Sequence, residues 1–386
     1  MVNEGTIEQV IITTEKAKTI LPQWEKDLIK FCPEMVTFKH FASTKERNDF
    51  RLSISKPKAL LASLDAFEKF LSDNIKFSKH KSLVSSINTP TSGGLFLILF
   101  ILIFKSQLGL VNIFYLFLIF LVGLSSDRIR NVSPLNRLFF QIFITFLFVV
   151  NTQTLIIDVR IDNINQLLNQ NNYLSIIFTV FCFIVLMNGT NFIDGVNLNT
   201  IGFYILVYSV ILIVSNNNDL YIDRSFNIKI ILFLIVIYLM NFFNKLQLGD
   251  GGSYLIGFFT AFYVIDFISQ NPLVSPYFAV LILWYPCFEN LFSISRKIYQ
   301  KKSISDADNL HLHHNIFLYL KIKNFKNLNN LSGLILNLSN FLLIFIGLNI
   351  FNSTKYLILL ILISVFIYIL SYNILIKIIL SKKFKK

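Results

Sequence analysis

Long apolar segments separated by short polar clusters dominate this chain. Runs such as Leu95–Phe104, Ile230–Met240 and Tyr356–Leu370 hold no charged residue. A membrane-crossing helix needs about 20 apolar residues, and by that measure the pattern predicts about ten spans. They fall near 92–105, 108–124, 138–157, 173–188, 199–215, 230–243, 253–269, 273–294, 332–350 and 354–380. Soluble domains break their apolar runs sooner, and in lipid the backbone must satisfy its own hydrogen bonds, which helices do. The expected fold class is therefore an all-α polytopic membrane protein.

Residues 1–88 differ in kind. They are mixed and charged, with amphipathic pieces such as Ala59–Asp73, where Leu60, Leu61, Leu64, Phe67 and Phe70 keep helical spacing. They predict a small soluble region ahead of the membrane domain, 89–386. The region carries no interpretable motif and is short for a large core of its own. Met1 is followed by no signal peptide, because the first apolar run comes much too late.

Composition agrees with the pattern: 54% of the 386 residues are hydrophobic, 41 are Phe, and mean hydropathy is +0.62. The abundance of Ile, Phe, Asn and Lys matches an AT-rich coding bias, so individual Asn and Lys residues carry little weight. Cys32, Cys182 and Cys287 lie far apart, with no CxxC pair, and read as packing residues.

The formal charge of +13 is distributed as a topology signal. Arg128, Arg130 and Arg137 follow the second span, and Lys245 follows the sixth. Arg296, Lys297, Lys301, Lys302, Lys321, Lys323 and Lys326 follow the eighth, and Lys382, Lys383, Lys385 and Lys386 the tenth. The alternate connections are poorer in cations, although one holds Arg224 and Lys229. The bias puts both termini and the even-numbered ends in the cytoplasm. No basic face on a soluble module argues for nucleic acid as a partner.

Four polar clusters follow even-numbered spans, so all four share that side. Ser125–Pro134 presents Asp127 with Arg128 and Arg130, which alone reads most simply as a solvated topogenic loop. Asn188, Asn191 and Asp194 are spaced to line one helical face, with Gly195 at a turn. Asn can read a nucleobase or a sugar amide, and Asp a metal or a hydroxyl. A helix cap would explain Gly195 but not three aligned polar residues. Gly249-Asp250-Gly251-Gly252-Ser253 opens a span. It is either a phosphate-binding helix start, with Asp250 holding Mg²⁺, or an ordinary N-cap. His311-Leu312-His313-His314 holds three of the five histidines. With Arg296 and Lys297 nearby and no Cys, it suits a diphosphate better than zinc. Carboxylates for a metal, cations for phosphates and amides for a polar head are the parts of a phosphoryl-transfer site. A transporter would want ionisable residues at mid-membrane depth, and the central spans carry almost none.

The order and spacing of these clusters resemble the polyprenyl-phosphate N-acetylhexosamine-1-phosphate transferases over about residues 85–380. Pro90-Thr91-Ser92-Gly93-Gly94 is similar to that family's lead into an early span. Asn188-x-x-Asn191-x-x-Asp194-Gly195 and Gly249-Asp250-x-Gly252-Ser253 match its later clusters. Glu289, Arg296-Lys297 and His311-x-His313-His314 resemble its last cytoplasmic loop. The His-x-His-His form looks more like the GlcNAc-type and O-antigen-type branch than the MurNAc-pentapeptide branch. The resemblance implies a Mg²⁺-dependent enzyme, with Mn²⁺ as an alternative ion. A UDP-N-acetylhexosamine would give its sugar-1-phosphate to polyprenyl (undecaprenyl) phosphate, releasing UMP. The product would initiate a lipid-linked glycan of the cell wall or lipopolysaccharide, at the cytoplasmic face of a bacterial inner membrane. The alternative is a degenerate member that binds nucleotide-sugar or lipid as a scaffold. A homodimer is compatible with either.

Carried over residue by residue, the resemblance implies Asp250 as the principal Mg²⁺ ligand and Asp127 as helper of the metal or of the attacking phosphate. Asn188, Asn191, Asp194 and Gly195 would bind the nucleotide-sugar. His311, His313 and His314, with Arg296 or Lys297, would hold the diphosphate. The chain departs from the family in two places. Ser126 stands where relatives carry the first of two adjacent aspartates, and the usual first span is replaced by the N-terminal region.

Overall fold

The computed structural model describes residues 90–128, 133–301, 303 and 310–383, so residues 1–88, with the helical pattern at Ala59–Asp73, and Arg130 lie outside the described residues. The described residues fold as helices without strands. Eight helices are long and apolar enough to cross a membrane: α2 (Leu110–Arg128), α3 (Pro134–Thr152), α5 (Asn172–Ile193), α6 (Asn199–Asn217), α7 (Arg224–Phe242), α8 (Gly249–Gln270), α12 (Leu328–Gly347) and α13 (Thr354–Lys383). Between and before them lie α1 (Gly93–Ile103), α4 (Asp162–Gln170), α9 (Pro276–Ile282), α10 (Trp284–Tyr299) and α11 (Leu312–Ile322). The protein is a polytopic helical membrane protein, as its sequence predicts.

Three elements differ from the sequence reading. The eighth span is not one straight helix: α9 and α10 meet at 74°. Pro286 explains the break, because it lacks an amide and its ring opposes the carbonyl four residues back, at Ile282, where α9 ends. The first span, α1, has only 11 residues, roughly 16 Å of helix, about half a bilayer core. Its open end is stitched to another connection instead. Gly93 N donates to Gln247 O (2.9 Å), Gly94 N to Leu248 O (3.2 Å), and Gln247 N to Pro90 O (2.9 Å). The connection 158–172, read as a loop, contains the short amphipathic helix α4.

The core centres on α8. Of its most apolar window 72% is buried, against 28% for α2, α3 and α13, which face outward. α8 packs along α2 and α5, and α5 packs in turn on α10. Phe148, Phe183 and Phe258, one each from α3, α5 and α8, stack edge-to-face or tilted at the centre. That arrangement brings the end of α2, the end of α5 and the start of α8 to one end of the bundle. The opposite end is tied by its own contacts, among them Arg160 to Pro272 O (2.6 Å) and Ser275 to Thr354 (2.8 Å).

Candidate active site

Asp127, in the last turn of α2, reaches the first turn of α8. Its Oδ1 accepts from the Asp250 amide and its Oδ2 from the Gly251 amide, each at 3.0 Å. A carboxylate at a helix N-terminus satisfies open amides and favours the helix dipole. The turn is made by Gly249, whose φ of +74° is a conformation other residues rarely adopt. A Cβ there would also press on Asp127 Oδ2 at 2.9 Å.

The side chain of Asp250 is 12% exposed, and Oδ2 is its bonded oxygen. Oδ2 accepts from Ser126 Oγ (2.7 Å) and pairs with Arg137 of α3 (3.1 Å). The same guanidinium donates to Ser126 Oγ (2.7 Å) and to Tyr254 OH (3.4 Å). Asp250 Oδ1 accepts no bond among the described residues, and Arg137 Nε is buried without a partner. No group of three or more His, Cys, Asp or Glu side chains among the described residues is arranged to hold a metal by itself. One available carboxylate oxygen fits an ion such as Mg²⁺, which takes one or two carboxylates and completes its shell with water and substrate phosphates.

α5 runs five residues beyond the predicted end of its span, to Ile193, so its polar face continues as helix. Asn191 Nδ2 donates to Tyr254 OH (3.3 Å), and Asn188 Nδ2 to Gln141 Oε1 of α3 (2.9 Å). Asp194 is the C-cap residue. Gly195 follows, and a Cβ on it would overlap the ring of His313.

His311 is the N-cap residue of α11, which puts His313 and His314 in its first turn. His313 is fully buried, and neither ring nitrogen has a hydrogen-bond partner. Burial, and then the neighbouring His314 and His311, hold its pKa well below the usual histidine value. His311 stacks nearly parallel to His313, with centroids 5.5 Å apart. His314 lies 4.1 Å from His313, centroid to centroid. Behind the loop, His311 Nδ1 meets Glu289 Oε1 of α10 at 2.9 Å. Arg296 donates to Leu310 O and to Tyr372 OH, both at 2.9 Å, and its guanidinium stacks on Phe292 and Tyr372. Lys297 is buried at the end of α10.

The family described as "Glycosyl transferase family 4" matches residues 109–268. Over that segment, about two fifths of its length, the chain is similar to glycosyl transferase family 4. A curated relative from Bacillus subtilis (strain 168), the "Probable undecaprenyl-phosphate N-acetylglucosaminyl 1-phosphate transferase", is 26% identical over 143 residues. The match covers 36% of this chain and 40% of that relative's length.

The family 4 segment contains Asp127, Asn188, Asn191, Asp194, Gly195 and Asp250. Glu289, Arg296, Lys297 and the histidines lie beyond it. The structure joins both groups at the end of α5, where Asn191 reaches Tyr254 beside the acidic cluster and Gly195 meets His313. Arg137 carries no site signal in the sequence, and Ser126 stands out there only as a departure from the resemblance. Arg137 reads there as a topogenic charge, and only the fold brings it to Asp250. Glu289 carried a usable signal, since an acidic residue inside an apolar span needs a partner.

Proposed function

We propose that the protein transfers a sugar-1-phosphate, specifically N-acetylhexosamine-1-phosphate, from a UDP-sugar to polyprenyl phosphate, releasing UMP. The observation that carries this reading is the end of α5, which reaches Tyr254 beside the acidic cluster through Asn191 and abuts His313 of the histidine loop at Gly195. One donor molecule can then meet carboxylate, amide and imidazole at once. The relative's name, with its undecaprenyl-phosphate acceptor and N-acetylglucosaminyl 1-phosphate group, supports the same chemistry.

In the proposed reaction an oxygen of the polyprenyl phosphate attacks the β-phosphorus of the donor. A new P–O bond forms, and the bond from that phosphorus to the bridging oxygen breaks. The electron pair leaves with UMP. Asp250 Oδ1 would hold Mg²⁺, or Mn²⁺, which when bound neutralises the diphosphate. Arg137 keeps Asp250 paired and offers a guanidinium to a phosphate oxygen. Asn188 and Asn191 present amides to the nucleotide-sugar, while Asp194 accepts from its hydroxyls. The histidines and Lys297 receive the diphosphate. Asp127 acts on the geometry by holding the start of α8. A phosphate monoester is already largely dianionic near neutral pH, so the acceptor needs no strong base, and Ser126 is compatible with turnover.

Among the described residues Arg128, Lys245, Lys297, Lys321 and Lys323 lie at the site's end of the bundle, whereas the other end holds fewer cations, among them Arg160, Arg224 and Lys355, two of which pair with Asp158 and Asp219. The positive-inside rule then puts the site and the C-terminus at the cytoplasmic face of a bacterial inner membrane. The test is to incubate purified protein with Mg²⁺, undecaprenyl phosphate and each of several UDP-N-acetylhexosamines, and to weigh the lipid product by mass spectrometry. A polyprenyl-diphosphate sugar from at least one donor is expected. Its absence with every donor removes the reading.

A further inference from the structure

Glu289 is fully buried inside the bundle, and both of its oxygens are used. Oε1 meets His311 Nδ1 at 2.9 Å, and Oε2 accepts from Tyr368 OH of α13 at 2.7 Å. Two helical turns along the same face of α10, Arg296 repeats the arrangement. It bonds Leu310 O on the histidine side and Tyr372 OH on the α13 side. Tyr368 and Tyr372 are one turn apart on α13 and stack on Phe288 and Phe292 of α10. A two-rung ladder therefore joins α13 to α10, and each rung continues to the start of the histidine loop.

A buried carboxylate costs several kcal/mol unless its oxygens are satisfied, in the general case. Packing alone would be served as well by an apolar residue here. What a carboxylate adds is acceptor-only chemistry at Oε1, which keeps the His311 proton on Nδ1 and leaves Nε2 as the atom facing away from Glu289.

We propose that Glu289, itself anchored by Tyr368, is a positioning residue that fixes the tautomer and ring orientation of His311 for the donor diphosphate. The proposal rests on the transferase reading above and deepens it. Carboxylate backing of metal-ligating histidines is worth about 10-fold or more in affinity or activity, and an effect of that order is expected for a histidine that holds a diphosphate.

The test uses the full chain in detergent, labelled with 15N-histidine, as wild type, Glu289→Gln and Tyr368→Phe. Glutamine keeps the shape but offers one acceptor oxygen to two donors. In the wild type one histidine signal, assigned by its loss in His311→Gln, should report a proton fixed on Nδ1, and in Glu289→Gln that tautomer should become mixed. With the donor that the wild type uses, KM should rise about 10-fold in Glu289→Gln and less in Tyr368→Phe, with kcat nearly constant. Melting temperature is followed in parallel, because a purely structural brace would lower it without moving donor KM in the folded fraction. An unchanged tautomer, or an unchanged donor KM in both variants, overturns the proposal while leaving the transferase reading intact. A wild type that turns over no donor removes the transferase reading, and the tautomer comparison still decides the Glu289–His311 pairing. Should Glu289→Gln fail to fold, Tyr368→Phe, which removes a single hydroxyl, carries the same readouts.

Discussion

Asp127 holds the amides of Asp250 and Gly251, one on each carboxylate oxygen, at 3.0 Å. In the proposed reaction these two aspartates do different work. Asp127 shapes the start of α8, and Asp250 faces the chemistry. Asp127→Asn should cost stability, by about 1–2 kcal/mol for a carboxylate at a partly buried helix start, and should also lower turnover by displacing Asp250. Asp250→Asn should abolish turnover and leave the melting temperature nearly unchanged. Thermal unfolding and UMP release measured side by side check the division; equal effects on both quantities from both variants would contradict it.

Ser126 donates to Asp250 as a neutral hydroxyl. Ser126→Ala removes two hydrogen bonds, one donated to Asp250 and one accepted from Arg137, worth about 1 kcal/mol each, so turnover should fall no more than about 30-fold. A steady-state comparison of kcat decides this, and a loss of several orders of magnitude would make the hydroxyl part of the reaction itself.

Gly195 has no room for a Cβ against His313. Gly195→Ala should force the ring or the turn to move, at a cost of ~1–3 kcal/mol typical of overpacking, and should raise donor KM more than it lowers kcat. Donor titration of the purified variant is the check.

The depressed pKa of His313 has a definite sign in stability. Above about 6.5, the ordinary histidine value, the ring is neutral in both folded and unfolded chains, and its contribution is fully present. As pH falls below that value the unfolded chain takes up a proton that the folded site resists. Stability is then lost by up to about 1.4 kcal/mol per pH unit. Melting temperatures of donor-free protein between pH 7.5 and 5.5, wild type against His313→Gln, should show a shallower acid decline in the variant. Identical slopes would mean that His313 does not resist protonation.

The spans were legible in the sequence because lipid imposes a length and a composition on each one, and the breaks in them were not. Pro286 ends α9 at a position where hydropathy runs on unchanged. Asp250, Asn191 and the histidine loop could be found because polar residues under apolar spans need a reason. Their pairings could not, since Arg137, Tyr254 and Tyr368 reach the site only through helix packing. Asn residues discounted as compositional also prove structural. Asn197 Nδ2 donates to Asn241 O (3.2 Å), Asn244 Oδ1 (2.6 Å) and Asn330 Oδ1 (3.0 Å), fixing the turn after α5 to the end of α7 and the start of α12. Composition alone cannot separate such residues from coding bias.

The central claim is that Asp250 and the histidine loop act on one UDP-sugar to pass its sugar-1-phosphate to a polyprenyl phosphate. The most direct measurement is Mg²⁺-dependent UMP release by purified protein with undecaprenyl phosphate and UDP-N-acetylglucosamine, repeated with the other UDP-N-acetylhexosamines. The account predicts release with at least one donor, abolished by EDTA, by omission of the lipid and by Asp250→Asn. Donor binding without UMP release from any of them would contradict it.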